Sequence, residues 1–436
     1  MFAGRRQKLL EAMGPDAVAL FVGARPATRS NDTEYPFRQD SDFWYLTGYG
    51  HPNAVAVLRT DGGPEFTLFV EPRDPDMETW TGYRPGVEGA VADYGGDRAF
   101  AIGELAGELP EILSKATRVY HSLGRNTEID AQLISILEDM RKRSRTGVIP
   151  AAEIVDPRSQ VHELRLIKEP AELDLMRRAA SITAEAHREA AHLAQAGRNE
   201  YELQAALEYA FRRLGGNGPA YGTIVGGGVN ATVLHYVAND RPLVDGDLVL
   251  IDAGAEFENY ASDVTRTYPV GGTFRGEARA VYEVVLEAQE RALAECKPGN
   301  DLDAIHDTAL RSLVGGMIDL GWLDGSVEES IETGSYKPFY MHRTSHWLGL
   351  DVHDSGAYTA DGTPRKLEPG MAFTIEPGLY VSANTPDGPA ARFRGIGVRI
   401  EDDVVVTPGG IENLNSAIPK HPDEIENWVR EGLASD

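Results

Sequence analysis

Acidic strands and one histidine cluster carry the residues of this sequence that could do chemistry. In LVLIDAGAEFENYASDVTRTYPV an apolar run leads into Asp252, a polar stretch follows, and a second strand begins near Asp263. The pattern predicts a β-hairpin. With the turn centred between Phe257 and Glu258, antiparallel pairing sets Asp252 directly opposite Asp263, with Cβ atoms roughly 4.5–5.5 Å apart. Two carboxylates at that distance repel unless a cation sits between them, although the hairpin alone also allows one of them to point to solvent. MHRTSHWLGLDVHD places His342, His346 and His353 within twelve residues, three of eleven histidines in the chain. Neutral imidazole is a common ligand for transition metals, but the spacing leaves open which of the three would take one. MAFTIEPGLYV and GVRIEDDVVV are apolar strands that each carry a carboxylate, Glu376 and Glu401, where a solvated face does not require one. In the second, a period of two sets Arg399 and Glu401 on one face and Val398 and Ile400 on the other. Singly, either glutamate also fits an edge position paired with a neighbouring cation.

Together these segments supply four carboxylates and at least one imidazole, with oxygen and nitrogen donors and no thiolate. That donor set suits Mn²⁺, Co²⁺ or Zn²⁺, and carboxylates shared between ions hold two metals roughly 3.5–4 Å apart. Such a pair makes hydroxide available near neutral pH and polarises a scissile carbonyl, which is the chemistry of a two-metal hydrolase. The sequence contains no GxSxG elbow, no phosphate-binding Walker loop and no HExxH helix to direct the reading elsewhere.

The elements that must position these groups fall in the second half of the chain. Residues 1 to about 160 alternate helical stretches, RRQKLLEAM and AFAIGELAGELPEILSKA, with strand-like runs AVALFVG, AVAVLRT and FTLFVEP, which predicts an α/β domain. A boundary is expected between Val155 and Glu169, where Pro170 suits the first turn of a new helix. The expected domains are thus 1–160 and 161–436. Helices are expected from Glu172 past His187, over Glu200–Leu214, and over 277–297 and 301–319, with strands between them that begin or end on acids and histidines.

Length, charge and cysteine usage bound the partners. At 436 residues the chain exceeds one typical core. Lys plus Arg total 42 against 68 Asp plus Glu, and the formal charge of −26 repels phosphate backbones and anionic lipid. Nucleic acid and membrane are therefore not expected as partners. The single cysteine, Cys296, rules out an intramolecular disulfide framework and a thiolate zinc cage, and a reducing cytoplasm fits best. MFAGRRQKLLEAMG lacks the apolar core of a signal peptide, and no later run approaches the length of a bilayer-spanning helix.

Six ordered blocks resemble the Xaa-Pro aminopeptidase (aminopeptidase P) family of pita-bread metallopeptidases. They are TRSNDTEYPFRQDSDFWYLTG, YGTIVGGGVNATVLHY, LVLIDAGAEFENYASDVTRTYPV, SHWLGLDVHD, TIEPGLY and RGIGVRIEDDVVV. The resemblance implies an α/β (α+β) fold: a C-terminal catalytic domain with a curved antiparallel sheet and pseudo-twofold symmetry, behind an N-terminal domain with a mixed sheet that serves oligomerisation and substrate access. It implies release of the N-terminal residue from peptides with proline in second position, by attack of a metal-bridging hydroxide. Asp252, Asp263, His346, Glu376 and Glu401 become the ligands, with Asp263 and Glu401 bridging two Mn²⁺ ions. By the same likeness His235 and His353 would hydrogen-bond substrate or the tetrahedral intermediate, His342 would border the proline pocket, and Tyr221 would line it. Arg399 would orient ligand carboxylates in a network with Asp32, and Glu376 could also carry the proton to the leaving imino nitrogen. Trp80 and Arg145 match positions that reach into a neighbour's site, so a homo-oligomer, dimer or tetramer, is expected. A prolidase, restricted to dipeptides, is the alternative within this chemistry. A non-catalytic pita-bread binding module is the alternative outside it, and the full ligand set argues against it.

Overall fold

Leu248–Asp252 is apolar up to its last residue, and a branched, aliphatic run of this kind favours a strand covered on both faces. It is the middle strand of a three-stranded antiparallel sheet, flanked by Ile224–Gly227 and Thr265–Pro269. The computed structural model describes residues 1–433, in two units divided between Arg165 and Leu166.

In the second unit this sheet follows two long helices, Pro170–His192 and Glu200–Arg213. Pro170 occupies the first turn of the former, where its missing N–H is no loss. Asn199 caps the latter by accepting from the Tyr201 N–H. The same order then repeats. Helices Gly276–Glu295 and Leu302–Asp319 precede a second three-stranded antiparallel sheet with Asp402–Thr407 in the middle, between Ala372–Ile375 and Gly410–Asn413. Gly378–Val381 pairs with Ile396–Arg399. This duplicated order is the pseudo-twofold arrangement that the resemblance implies. The halves are stitched by Glu401 N–H donating to Thr265 O at 3.0 Å and by Thr267 Oγ1, 3.1 Å from Arg399 O. Their shared core includes Leu207, Phe211, Val249, Ile251, Val285, Val398 and Ile400.

The first unit is a six-stranded mixed sheet in the order Arg98–Ala101, Phe66–Val70, Val55–Arg59, Ala17–Val22, Arg118–Tyr120, Glu153–Val155. Val55–Arg59 runs antiparallel to both of its neighbours, while the remaining pairs are parallel. The sequence reading is corrected at AFAIGELAGELPEILSKA. Its first three residues complete the edge strand Arg98–Ala101, a 3-10 turn follows over Ile102–Glu104, and α-helix begins only at Leu105, running to Ile112. Parallel pairing with Phe66–Val70 and stacking of Phe100 on Phe69, with centroids 5.2 Å apart, outweigh local helical preference. Among the described residues no helix is long and apolar enough to cross a membrane.

Candidate metal centre

The two aspartates come from the expected hairpin, in a corrected register. Glu258 and Asn259 both take left-handed backbone, with φ of 49° and 66°, so the turn lies between them and not between Phe257 and Glu258. Asp252 consequently faces Thr265, not Asp263. Moving the turn by one residue shifts the register by two, which leaves every side chain on its face. Asp252 and Asp263 therefore remain on one side as diagonal neighbours and line the same cavity. The two arms approach closely at Gly254, where an added Cβ would lie 1.7 Å from Ser262 O.

The cavity lies within the second unit and has a volume of about 850 Å³. Its lining includes Tyr221, His235, Asp252, Asp263, His342, His346, His353, Glu376, Arg399 and Glu401. Ligand atoms of Asp263, His346 and Glu401 all lie within 4.8 Å of one another. His346 Nε2 is 3.3 Å from Asp263 Oδ2 and 3.6 Å from Glu376 Oε1. Its Nδ1 sits 3.0 Å from Trp347 O, a contact that keeps a proton on Nδ1 and makes Nε2 the nitrogen that would face a metal once its own proton is displaced. Asp252 is held from the side: Tyr221 OH donates to Oδ1 at 2.7 Å and Arg399 Nη2 to Oδ2 at 2.5 Å. The alternation read along GVRIEDDVVV holds, since Val398 and Ile400 enter the core while Arg399 and Glu401 line the cavity. Arg399 hydrogen-bonds Asp252, Thr265 Oγ1 and the Tyr380 hydroxyl, and Glu401 Oε2 accepts from Thr265 Oγ1 at 2.6 Å. Asp32 lies exposed in the first unit, as do Trp80 and Arg145.

The electrostatics describe a cluster short of positive charge. Burial, followed by repulsion from Asp263, Glu376 and Asp252, raises the Glu401 carboxyl well above the carboxylate range. Burial also raises Asp252, against the opposing charge of Arg399, and raises Glu376 to about 7. His346 goes the other way to a cation: burial opposes its charge, but the bond and charge of Asp263 and the charge of Glu376 lift it to about 9. His342 is lowered to about 4 by burial and the Arg399 charge, with its Nε2 2.9 Å from the Tyr380 hydroxyl. His353, edge-on to His346 with ring centroids 4.5 Å apart, is lowered by burial and by that neighbour. Buried carboxylates in this number are stable only with more cation than one guanidinium and one imidazolium supply. An all-oxygen-and-nitrogen donor set with that deficit fits divalent metal.

Tyr380, Thr265 and Asp403 were missed in the sequence. Tyr380 follows Glu376 at two steps of two, and Thr265 follows Asp263 at one, so strand alternation could have found both. Asp403, which accepts the Asp263 N–H at 3.0 Å and the Ser262 hydroxyl at 2.9 Å, joins residues 140 apart and leaves no local signal.

Residues 174–408 match metallopeptidase family M24, and residues 2–120 match the aminopeptidase P N-terminal domain. The chain is 45% identical over 429 residues to an Xaa-Pro aminopeptidase of Escherichia coli, covering 98% of this chain and 96% of that one. It superimposes on an aminopeptidase of Pseudomonas aeruginosa with a TM-score of 0.96 at 44% identity, covering 99% and 98% of the two chains. It matches zinc-substituted Escherichia coli aminopeptidase P in complex with product with a TM-score of 0.95, at the same identity and coverage. With the duplicated sheet, the carboxylate–histidine cluster and these matches in hand, the chain belongs to metallopeptidase family M24 and has its pita-bread fold.

Proposed function

We propose that this chain is an Xaa-Pro aminopeptidase, releasing the N-terminal residue from peptides with proline in second position. The observation that carries the reading is the convergence of Asp263, His346 and Glu401, with Asp252 and Glu376 beside them, on the wall of a peptide-sized cavity that three further histidines also line. Those five residues would hold two divalent ions, most simply Mn²⁺, with Asp263 and Glu401 shared between them. Such ions supply Lewis acidity toward the scissile carbonyl and a water acidic enough to act as nucleophile near neutral pH.

The chain's own residues have separable tasks. Tyr221 and Arg399 fix Asp252, while Thr265 fixes Glu401, so the carboxylates keep their aim when no cation balances them. His342, tied to Tyr380 and Arg343 O and held neutral, borders the pocket for the proline ring without adding charge to it. His235 and His353 line the cavity, where their ring N–H groups would donate to the substrate carbonyl and to the oxygen that gains charge as the bond breaks. Glu376 carries the proton to the leaving proline nitrogen. Trp80 and Arg145, exposed on the first unit, would reach a neighbouring subunit's site in a dimer or tetramer, giving that unit its part in assembly and substrate access. A cytoplasmic setting accords with the single buried cysteine.

The test is turnover of Xaa-Pro-Yaa peptides, Xaa-Pro dipeptides and Xaa-Ala-Yaa peptides by protein stripped of metal and then supplied with Mn²⁺. Mn²⁺-dependent cleavage of the first class, and not the third, is expected. Cleavage of dipeptides alone would assign the prolidase alternative, and cleavage of none would reject both.

A further inference from the structure

Helix Glu200–Arg213 has a buried apolar stripe and a polar one that is buried at Glu200 and half-buried beyond it. Leu203, Leu207, Ala210 and Phe211 pack into the core. A second stripe, Glu200, Gln204 and Glu208, is spaced by four residues and so lies along one face. Polar side chains at that spacing usually meet water, yet here all three are engaged by the segment 223–241. Glu200 is fully buried and each of its oxygens takes two donors. Oε1 accepts from Gly227 N–H at 2.6 Å and Asn230 Nδ2 at 3.0 Å. Oε2 accepts from the Tyr236 hydroxyl at 2.8 Å and Arg241 N–H at 2.9 Å. Gln204 Oε1 accepts from Asn239 Nδ2 at 2.9 Å, and that same fully buried asparagine accepts Val225 N–H and donates to Thr223 O. Glu208 Oε1 takes the Thr223 hydroxyl at 3.0 Å and Gln204 Nε2 at 2.9 Å.

The clamped segment forms one wall of the cavity. Leu234, His235 and Val237 line it from the loop, and Tyr221 precedes the Thr223 anchor by two residues. Apart from the short turn Gly228–Thr232, residues 228–240 have no regular structure, so no sheet ladder fixes His235. Its neighbours Leu234 and Tyr236 pack against Ile224, Ala231, Leu250 and Tyr380, and the Tyr236 hydroxyl is also held by Glu200 on the helix. We propose that Glu200, Gln204 and Glu208 form a positioning rail that holds the 223–241 segment rigid and thereby sets His235 against the substrate. None of the three lines the cavity, and the proposal rests on the substrate-binding role given to His235 above.

The test is a double-mutant cycle in the full-length, metal-loaded protein, with amide hydrogen exchange as a readout independent of turnover. Glu200→Gln exchanges one two-fold acceptor for an amide nitrogen. It is expected to lower kcat/KM on an Xaa-Pro-Yaa peptide by on the order of 10- to 100-fold in the unaltered chain, and by less than about twofold in a His235→Ala background. Metal content stays unchanged. Exchange of the 228–241 amides is expected to quicken by about tenfold or more, with Pro170–His192 keeping its protection. Gln204→Ala gives the same pattern more weakly and carries the cycle should Glu200→Gln not fold. Equal losses in both backgrounds, or unaltered exchange in 228–241, would overturn the proposal. If the unaltered chain fails to cleave Xaa-Pro peptides, the functional reading falls and the exchange experiment alone decides the rail.

Discussion

Glu401, Asp402 and Asp403 are consecutive buried acids with three destinations. Glu401 enters the cavity and Asp403 turns to the Asp263 amide. Asp402, on the opposite face, takes Arg266 Nη2 at 2.6 Å, Gln289 and Asn413 at 2.8 Å each, and Lys420 at 3.1 Å. Although burial works against ionisation, Arg266 and Lys420 hold the Asp402 carboxyl well below the usual range. Removing that charge strands a buried guanidinium, so Asp402→Asn is expected to destabilise by about 3–5 kcal/mol in urea unfolding. Glu287→Gln, at the exposed pair with Arg291, is expected to change stability by about 0.5 kcal/mol or less. His187 gives the pH dependence. Fully buried between Ala253 O and the Tyr268 hydroxyl, it is lowered by burial to about 4. The unfolded ring titrates near 6.5, so the contribution is fully present above about pH 6.5 and is lost as pH falls through about 4, a loss of about 3 kcal/mol. Stability measured across that window should fall less steeply for His187→Gln, which takes up no proton. At this scale the sequence exposed residue types and strand faces. It could not choose among His342, His346 and His353, because that choice depends on which ring nitrogen the fold aims at Asp263 and Glu376.

Among the elements, the hairpin 248–269 shows how far local reading extends. Its strands and the shared face of Asp252 and Asp263 were legible from the apolar pattern. The register was not, because Glu258 gives no sequence sign of its left-handed backbone. The edge strand Arg98–Ala101 escaped for a related reason: its partner lies 31 residues earlier in the chain. Gly254 leaves no room for a side chain between the arms. Gly254→Ala forces the arms apart, and a loss of about 3 kcal/mol or more is expected in urea unfolding, together with weakened Mn²⁺ retention on dialysis. Unchanged metal retention in a folded Gly254→Ala protein would show that the arms' spacing does not set the cluster.

Across the whole molecule, the excess of 26 negative charges and the buried carboxylate cluster point the same way. Cations that bind the folded chain and not the unfolded one stabilise it, by about 2.7 kcal/mol when free metal is 100 times its Kd. Chelation is therefore expected to lower the melting midpoint, and titrated Mn²⁺ to restore it in proportion to the logarithm of its concentration. A midpoint indifferent to Mn²⁺ would argue that the cluster stays unfilled. The duplicated architecture adds a constraint on biogenesis. Asp252 and Asp263 come from the earlier half of the second unit, while His346, Glu376 and Glu401 come from the later one. A nascent chain that has completed only the earlier half offers Asp252 and Asp263 without His346, Glu376 or Glu401. If the proposed ligand set holds the metal, its acquisition is expected only after residues near 400 have closed onto Thr265, and pulse-labelled chains should become chelator-sensitive at the end of folding and not midway.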